Sequence, residues 1–515
     1  MNIEKQDVVI VGAGLAGLST AVFLALNGIR PVVVDRNAST SILPKARGQN
    51  PVTMETCRAA GIADAIHVAR PPGKPGITSR VTESLTGKVL WDHLAHRPDF
   101  SKFSPERPGM ASQARAEAAL LSRAIELGVD VRFNTNCESL VEKAEHVELR
   151  LKNVTDGREQ AVEARYVVAA DGLRGQIAAG LGIGTHGLGL LKAVTAVRFN
   201  ADLSPWAGDN AMVIHYVKNP ALPDGSGILV STDYPGQWVA NFSAEPDRSL
   251  AATSDLIRIL TGLPDLQFEI TGDTTYNYSH RIADRLSSDR VFLAGDAAHV
   301  MPPTGGQGGN TAMQDGYYLG WKLAYVLKGV AGAGLLRTYD TERQPYAEIV
   351  CTWQAANLAE RRDMKNLATL TGEPIDHARM MFGYVCLDGA LVRGEGDVVP
   401  PKSDPFEDPS SPTGAPGARV PYVDLRTAGG EINTRKELAQ RFQVYTASSA
   451  FAKDADAIGA KLGLPAYRST VVESMAPLKA REGDAVLVRP DGVVAWRGAT
   501  AAGLEAAYRQ ILSLA

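Results

Sequence analysis

The chain has 515 residues, 45% of them hydrophobic, and its 53 basic and 57 acidic residues are interspersed to a formal net charge of −4. That length exceeds what one core serves and sets an expectation of roughly two to four domains. No basic face or acidic tail points to nucleic acid or an anionic membrane, and no run of roughly 18 apolar residues reads as a spanning helix.

The four cysteines, Cys57, Cys137, Cys351 and Cys386, stand far apart with no CxxC and no metal-type spacing. A disulfide framework, a zinc centre and a dithiol redox pair are therefore not expected, and a reducing cytoplasm fits. The opening MNIEKQDVVIVGAGLAGL is interrupted by Asp7 and three glycines and is not read as a signal peptide.

In chain order, residues 7–11 predict a buried strand, 15–27 a helix ended by Gly28, and 31–34 a second strand, together a βαβ unit. Residues 70–107, with scattered prolines and glycines, read as an excursion from the main sheet. A helix over 114–127 leads to strands at 129–133, 147–151 and 166–170. From 193 to 278 the character becomes β-rich, with runs at 212–217, 228–233, 238–243 and 268–276 that suit an antiparallel second layer. A strand at 290–294 and a helix over 310–327 return to Rossmann-like material. The expected domains are 1–175 and 280–393 as two parts of one dinucleotide-binding unit, 176–279 as a β-rich substrate layer, 394–417 as a linker, and 418–515 as a small α/β domain. Strands at 418–425, 442–445, 485–488 and 493–496 are predicted in the last.

Gly12, Gly14 and Gly17 in GAGLAG follow a strand and open a helix, and Asp35 closes the next strand. Glycine is required where the backbone turns tightly, where a pyrophosphate approaches the main chain at Gly14, and where helix and strand pack at Gly17. The first helix residues, Leu15 and Ala16, bring N–H groups to the phosphates. Asp35 offers a carboxylate to a ribose diol, and Arg36 a phosphate contact. This pattern binds a dinucleotide without choosing between FAD and NAD.

The choice comes from RVFLAGDAAH, residues 290–299, followed by Pro302, Pro303 and a glycine run into QDGYYLGWKLA. Gly295 is a cofactor-binding candidate, and Asp296, at a strand end, can accept from ribitol hydroxyls. The glycine run through Gly308 and Gly309 to Asn310 would bring bare backbone against a flat ring, and the helix that follows would point its positive start at the N1 and C2 carbonyl edge of a flavin, where the reduced ring carries negative charge. His299 is expected to be a structural hydrogen-bonder. The glycine cluster 180–189 has neither a preceding strand nor a following acid, so no second dinucleotide site is expected there.

These residues resemble the class A FAD-dependent aromatic monooxygenases, specifically the phenol and aromatic polyketide hydroxylases with a thioredoxin-like C-terminal extension. The resemblance runs through GAGLAG with Asp35 and Arg36, PKARGQN around Arg47, SQARAEAAL with Gln113 and Glu117, ADG at Asp171 and Gly172, GDAAH, YDTERQP, and the C-terminal PGARVPYVDL and VLVRPDGVVAWRG. It implies a Rossmann-like FAD domain with an inserted β-rich substrate layer, and Arg47, Gln113 and Asp171 beside the cofactor. It also implies a Pro303 carbonyl facing the reacting C4a region, and Gly309 and Asn310 at the pyrimidine edge. The implied reaction inserts one hydroxyl group into a phenolic or polycyclic, polyketide-like aromatic substrate through a flavin C4a-hydroperoxide, using O2 and NADPH or NADH as a transient co-substrate. The C-terminal extension, free of cysteine, would have a packing or homodimer-supporting role. The chain departs from the family pattern at Gly175 and Ala178, where serine and arginine are usual, and at Val52, where arginine is common. His215, Tyr234 and Trp238 are the pocket candidates for an aromatic substrate. A Baeyer–Villiger oxygenation or a redox-silent, flavin-binding accessory role is the alternative.

Overall fold

Val8 to Val11 are apolar at every position, the pattern of a strand covered on both faces. The computed structural model sets them, as Glu4–Val11, inside a seven-stranded sheet. Described are residues 3–41, 47–67, 76–93, 99–208, 211–243, 249–362, 375–436 and 440–514. The sheet runs Asp130–Arg132, Val32–Val34, Glu4–Val11, Glu159–Ala169, Val147–Asn153 and Thr135–Glu142, with Val291–Leu293 beside the end of Glu159–Ala169. Parallel register aligns Val11 with Ala169 and Ala169 with Leu293. The turns that leave these three strands therefore open side by side at the carboxyl edge, where parallel sheets bind ligands.

Two helices cover this sheet, Leu15–Leu26 and Gln307–Leu327, and they cross closely. A Cβ at Gly320 would lie 2.6 Å from the Phe23 Cβ, so only glycine permits that approach.

The second sheet has eight strands, in the order His299–Val300, Glu269–Ala283, Thr185–Asn200, Gln237–Ser243, Ser226–Ser231, Met212–Lys218, Ile77–Thr82 and Val89–Asp92. All pairings are antiparallel except that of Met212–Lys218 with Ile77–Thr82. Part of the 70–107 excursion thus supplies two strands to this layer, while 70–75 and 94–98 lie outside the described residues. One face packs on helix Leu250–Thr261 through Phe199, Leu229, Ala240 and Phe242. The other turns toward the first sheet. Glu269–Ala283 runs through the expected boundary at 279 and pairs with His299–Val300, so the second sheet includes a short strand from beyond that boundary.

The last segment forms a four-stranded sheet in the order Tyr467–Val471, Phe442–Thr446, Ala485–Val488, Val494–Gly498. Its first pair is parallel, joined through helix Ser449–Lys461, the others antiparallel, and helix Ala501–Ile511 closes it. The segment expected as a linker is seated on its neighbours: Phe406 is buried and Gly417 donates from its N–H to Val494 O at 2.8 Å. Buried charges tie this part to the rest. Arg419 and Arg435 both bond Glu55, and Arg489 holds Glu342 with both arms at 2.7 Å.

Candidate active site

The aligned strand ends and the inner face of the second sheet enclose a cavity of about 2200 Å³. Of the residues expected at the cofactor, Gly12, Gly14, Leu15, Ala16, Asp35, Arg36, Arg47, Gln113, Asp171, Gly295, Asp296, Pro303, Gly308, Gly309 and Asn310 all line it. Gly17 does not: it packs behind the turn, where a Cβ would meet Gly12 O at 1.9 Å.

At the first turn, Gly12 has φ +111° and the place of its missing Cβ is 2.1 Å from Ala170 O, so strand end and turn are locked together. Gly14 is different. The nearest atom to a Cβ there is Glu117 Oε1 at 3.7 Å, which leaves open space before the helix start. Asp35 Oδ2 accepts from Ala13 N at 2.8 Å, while Oδ1 takes both Asn37 N and Asn37 Nδ2 at 2.8 Å. Its remaining capacity for a ribose lies on Oδ2. Gln113 donates to the buried Glu117, whose other oxygen accepts from Ser41 N at 2.9 Å. Glu117 thus stands at the pyrophosphate cradle, beyond the set of site residues expected from the sequence.

Asp171 turns into its own loop. Its Oδ2 accepts from Ile177 N at 3.2 Å, and a Cβ at Gly175 would lie 2.1 Å from the Asp171 carboxyl carbon. That is a steric reason for glycine where the family pattern has serine. Burial raises the Asp171 carboxyl above the ordinary aspartate range.

Arg47 links the two layers: it donates to Met110 O at 2.9 Å, to Ser231 O at 2.7 Å and to Ala211 O at 2.6 Å. Burial pulls its guanidinium down to about 10. Four of its donor contacts are already satisfied within the protein, so its main work is to hold the second sheet against the cofactor cleft.

Within 291–300 Asp296 alone is exposed, and it faces the cavity. The turn that presents it is anchored by Asp315, fully buried, which accepts from Gly295 N at 2.9 Å, His299 Nε2 at 2.7 Å and Arg343 Nη2 at 2.8 Å. Burial pushes the Asp315 carboxyl up, but His299 and Arg343 outweigh it and the group sits below its ordinary range. His299 is accordingly structural. Beyond it, helix Gln307–Leu327 starts at Gly306, φ +69°, with no side-chain cap. Asn310 instead accepts from Asn50 N at 2.9 Å and donates to Gly306 O at 2.6 Å, fixing the loop from within. The unpaired N–H groups of the first turn therefore carry positive potential at the cavity wall.

The three substrate candidates require correction. His215 and Trp238 are buried on the far face of the second sheet, and Tyr234 is half exposed beside Arg115 with no part in the cavity wall. Strand side chains alternate, so the residues that do face the cavity are one position away, Ile214, Tyr216 and Val239, with Asn241 two further along the same face. The ring at 215 or 238 does not mark the cavity face; the alternation of the strand does.

His215 has a consequence for stability. Burial first, and then Arg80, lower its imidazole from 6.5 to about 4, while Thr82 Oγ1 lies 3.2 Å from Nδ1. The folded chain binds this proton less readily than the unfolded one, so the contribution is complete above 6.5 and lost as pH falls toward 4. Over that window wild type should lose up to about 3 kcal/mol more than His215→Gln. Urea titrations at several pH values check this; parallel pH profiles for the two proteins would contradict it.

The fold and the site define a flavoprotein. Open space before Gly14, a carboxylate at Asp296 and an uncapped helix start over bare glycine backbone fit the pyrophosphate, ribityl chain and pyrimidine edge of FAD. Residues 5–354 match the FAD binding domain family and residues 413–515 the aromatic-ring hydroxylase C-terminal family. Aklavinone 12-hydroxylase RdmE of Streptomyces purpurascens is 34% identical, over 99% of this chain and 100% of its own length. Tetracenomycin B2 monooxygenase-dioxygenase of Streptomyces olivaceus is 31% identical, over 98% of this chain and 97% of its own. A crystal structure of aklavinone-11 hydroxylase in ternary complex with FAD and aklavinone superposes with a TM-score of 0.90 at 33% identity, covering 100% of both chains. The chain belongs to the FAD-dependent aromatic-ring hydroxylases, and FAD is its cofactor.

Proposed function

We propose that this enzyme hydroxylates a polycyclic aromatic substrate of polyketide type, taking electrons from NADPH or NADH and oxygen from O2. The observation that carries the reading is the size and continuity of the cavity. At about 2200 Å³ it is larger than the roughly 300–1000 Å³ common for one small ligand. Beyond the cofactor cradle it has a flat apolar wall of Met212, Ile214, Ile228, Val230 and Val239, suited to the face of fused rings.

FAD, when bound, supplies the activation of oxygen and its transfer to an electron-rich ring carbon. The chain's own residues bind, orient and keep out water. Gly14 and the helix start at Leu15 receive the pyrophosphate, Asp35 the ribose and Asp296 the ribityl hydroxyls. Gly308, Gly309 and Asn310 meet negative charge at the pyrimidine edge with backbone N–H groups. Pro303 is assigned the carbonyl that faces the reacting edge. The apolar wall excludes water from the site of oxygen transfer. The 180–189 glycine cluster leads into strand Thr185–Asn200 and forms no second dinucleotide turn, which supports transient docking of the nicotinamide nucleotide. The last hundred residues, read as a thioredoxin-like module, have none of the four cysteines and serve packing.

A panel running from phenol through naphthols to hydroxylated anthraquinones and tetracyclic ketones tests the reading. Fused-ring members should accelerate NADPH or NADH oxidation several-fold and appear as hydroxylated products. Stimulation by simple phenol alone, or by no member, would sink it.

A further inference from the structure

Strand Gln237–Ser243 lies in the middle of the second sheet and turns Val239 and Asn241 to the cavity. Asn241 is flanked by Ala196 on one side and Ile228 on the other, so an amide stands in an otherwise apolar stretch of wall, 7% exposed. Its partner comes from two strands away. Tyr276 on Glu269–Ala283 donates its hydroxyl to Asn241 Oδ1 at 2.9 Å, although strand Thr185–Asn200 lies between them. The intervening cavity-facing residue is Ala196, whose small side chain leaves the tyrosine room to pass.

This hydrogen bond fixes which end of the amide does what. With Oδ1 engaged as acceptor, Nδ2 is the free end, and the Asn241 side chain forms no other hydrogen bond among the described residues. Asn241 is buried as a residue, but Nδ2 is not among the enclosed atoms left without a partner and opens on the cavity, so once a flat ligand displaces the solvent there the amide donor is costly unless something accepts from it. The structure assigns that acceptor to the substrate: we propose that Asn241 Nδ2 donates to a ring carbonyl oxygen of a flat, quinone-type polycyclic substrate, and that Tyr276 is the positioning residue that holds the amide. The inference rests on the polycyclic reading above and sharpens it. The wall selects an acceptor oxygen, since an N–H donor cannot receive a hydroxyl proton.

The test uses oxidised holoenzyme without reductant and two flat probes, emodin and its anthrone, which lacks the one carbonyl of emodin that is free of internal hydrogen bonds. Binding is followed by calorimetry under nitrogen. Asn241→Leu, close in shape, should weaken emodin about 10- to 100-fold and the anthrone less than about twofold, because only the former loses a hydrogen bond. Tyr276→Phe should weaken emodin about 3- to 10-fold, again sparing the anthrone, a selectivity that a merely structural role would not give. Wild type should itself prefer emodin to the anthrone by the factor that Asn241→Leu removes. If the leucine variant does not take up flavin, Asn241→Asp, which puts an acceptor in place of the donor, should weaken emodin at least as much. Equal losses for both probes, or none for emodin, overturn the proposal. Failure of wild type to bind either probe counts against the polycyclic substrate class itself and removes the inference with it.

Discussion

Gly14→Val is expected to give a folded protein that no longer holds FAD. The backbone at Gly14, φ −85° and ψ −171°, is ordinary extended geometry that valine adopts. A Cβ there meets nothing nearer than Glu117 Oε1 at 3.7 Å, so the apoprotein has room for it. The added methyl groups occupy the space in which a pyrophosphate must reach the helix N–H groups. FAD affinity should fall at least about 100-fold, on the order of 3 kcal/mol, while the unfolding transition of the apoprotein stays near that of wild type. Gly17→Val is the contrast: its Cβ would sit 1.9 Å from Gly12 O, and the expected result is a poorly folded chain. Flavin absorbance per chain with a thermal melt distinguishes the two. FAD retained at the wild-type level by Gly14→Val would place the pyrophosphate elsewhere.

Glu342→Ala should cost about 3–5 kcal/mol of stability, the loss typical of one partner removed from a buried charge network. Glu342 is 1% exposed and receives Arg489 through both of its oxygens, Lys322 Nζ at 2.9 Å and Ala390 N at 2.8 Å. Arg489 in turn meets Asp491, which also accepts from Trp321 Nε1 at 2.8 Å. Burial alone would raise the Glu342 carboxyl, but Arg489 and Lys322 dominate and draw it down to about 2. The folded pKa lies below the ordinary 4.5, so the contribution is present above 4.5 and fades as pH falls toward 2. Because the network joins helices of the FAD-binding part to the C-terminal sheet, the two should unfold together in wild type. Glu342→Ala should lower the denaturant midpoint and separate the transition into two; an unchanged single transition would show that the network does not couple them.

What the sequence made legible was what the backbone demands. Gly12 and Gly17 exist because a Cβ at either would collide with a carbonyl oxygen, and Asp296 stands out because it alone breaks a buried run. Such constraints are local and appear as spaced residue types. The substrate wall was less legible, since a one-residue change of phase moves a strand's side chains to the other face. His215 and Trp238 stand out in the sequence for their rings, yet the cavity lies on the side of Ile214 and Val239. Strand Thr185–Asn200 is absent from the predicted runs: its first half falls in the glycine cluster 180–189, whose Gly187 and Gly189 sit at shifts of register within a long pairing. The charge network of Lys322, Glu342, Arg489 and Asp491 joins residues up to 169 positions apart and leaves no periodic trace.

The most direct measurement is the fate of labelled oxygen. The purified enzyme, turned over with NADPH or NADH and a hydroxylated anthraquinone or tetracyclic ketone under ¹⁸O2, should yield a product with one heavy oxygen atom attached to a ring carbon. A product whose new oxygen comes from water, or reductant consumption that ends only in hydrogen peroxide across every fused-ring substrate, would contradict the account.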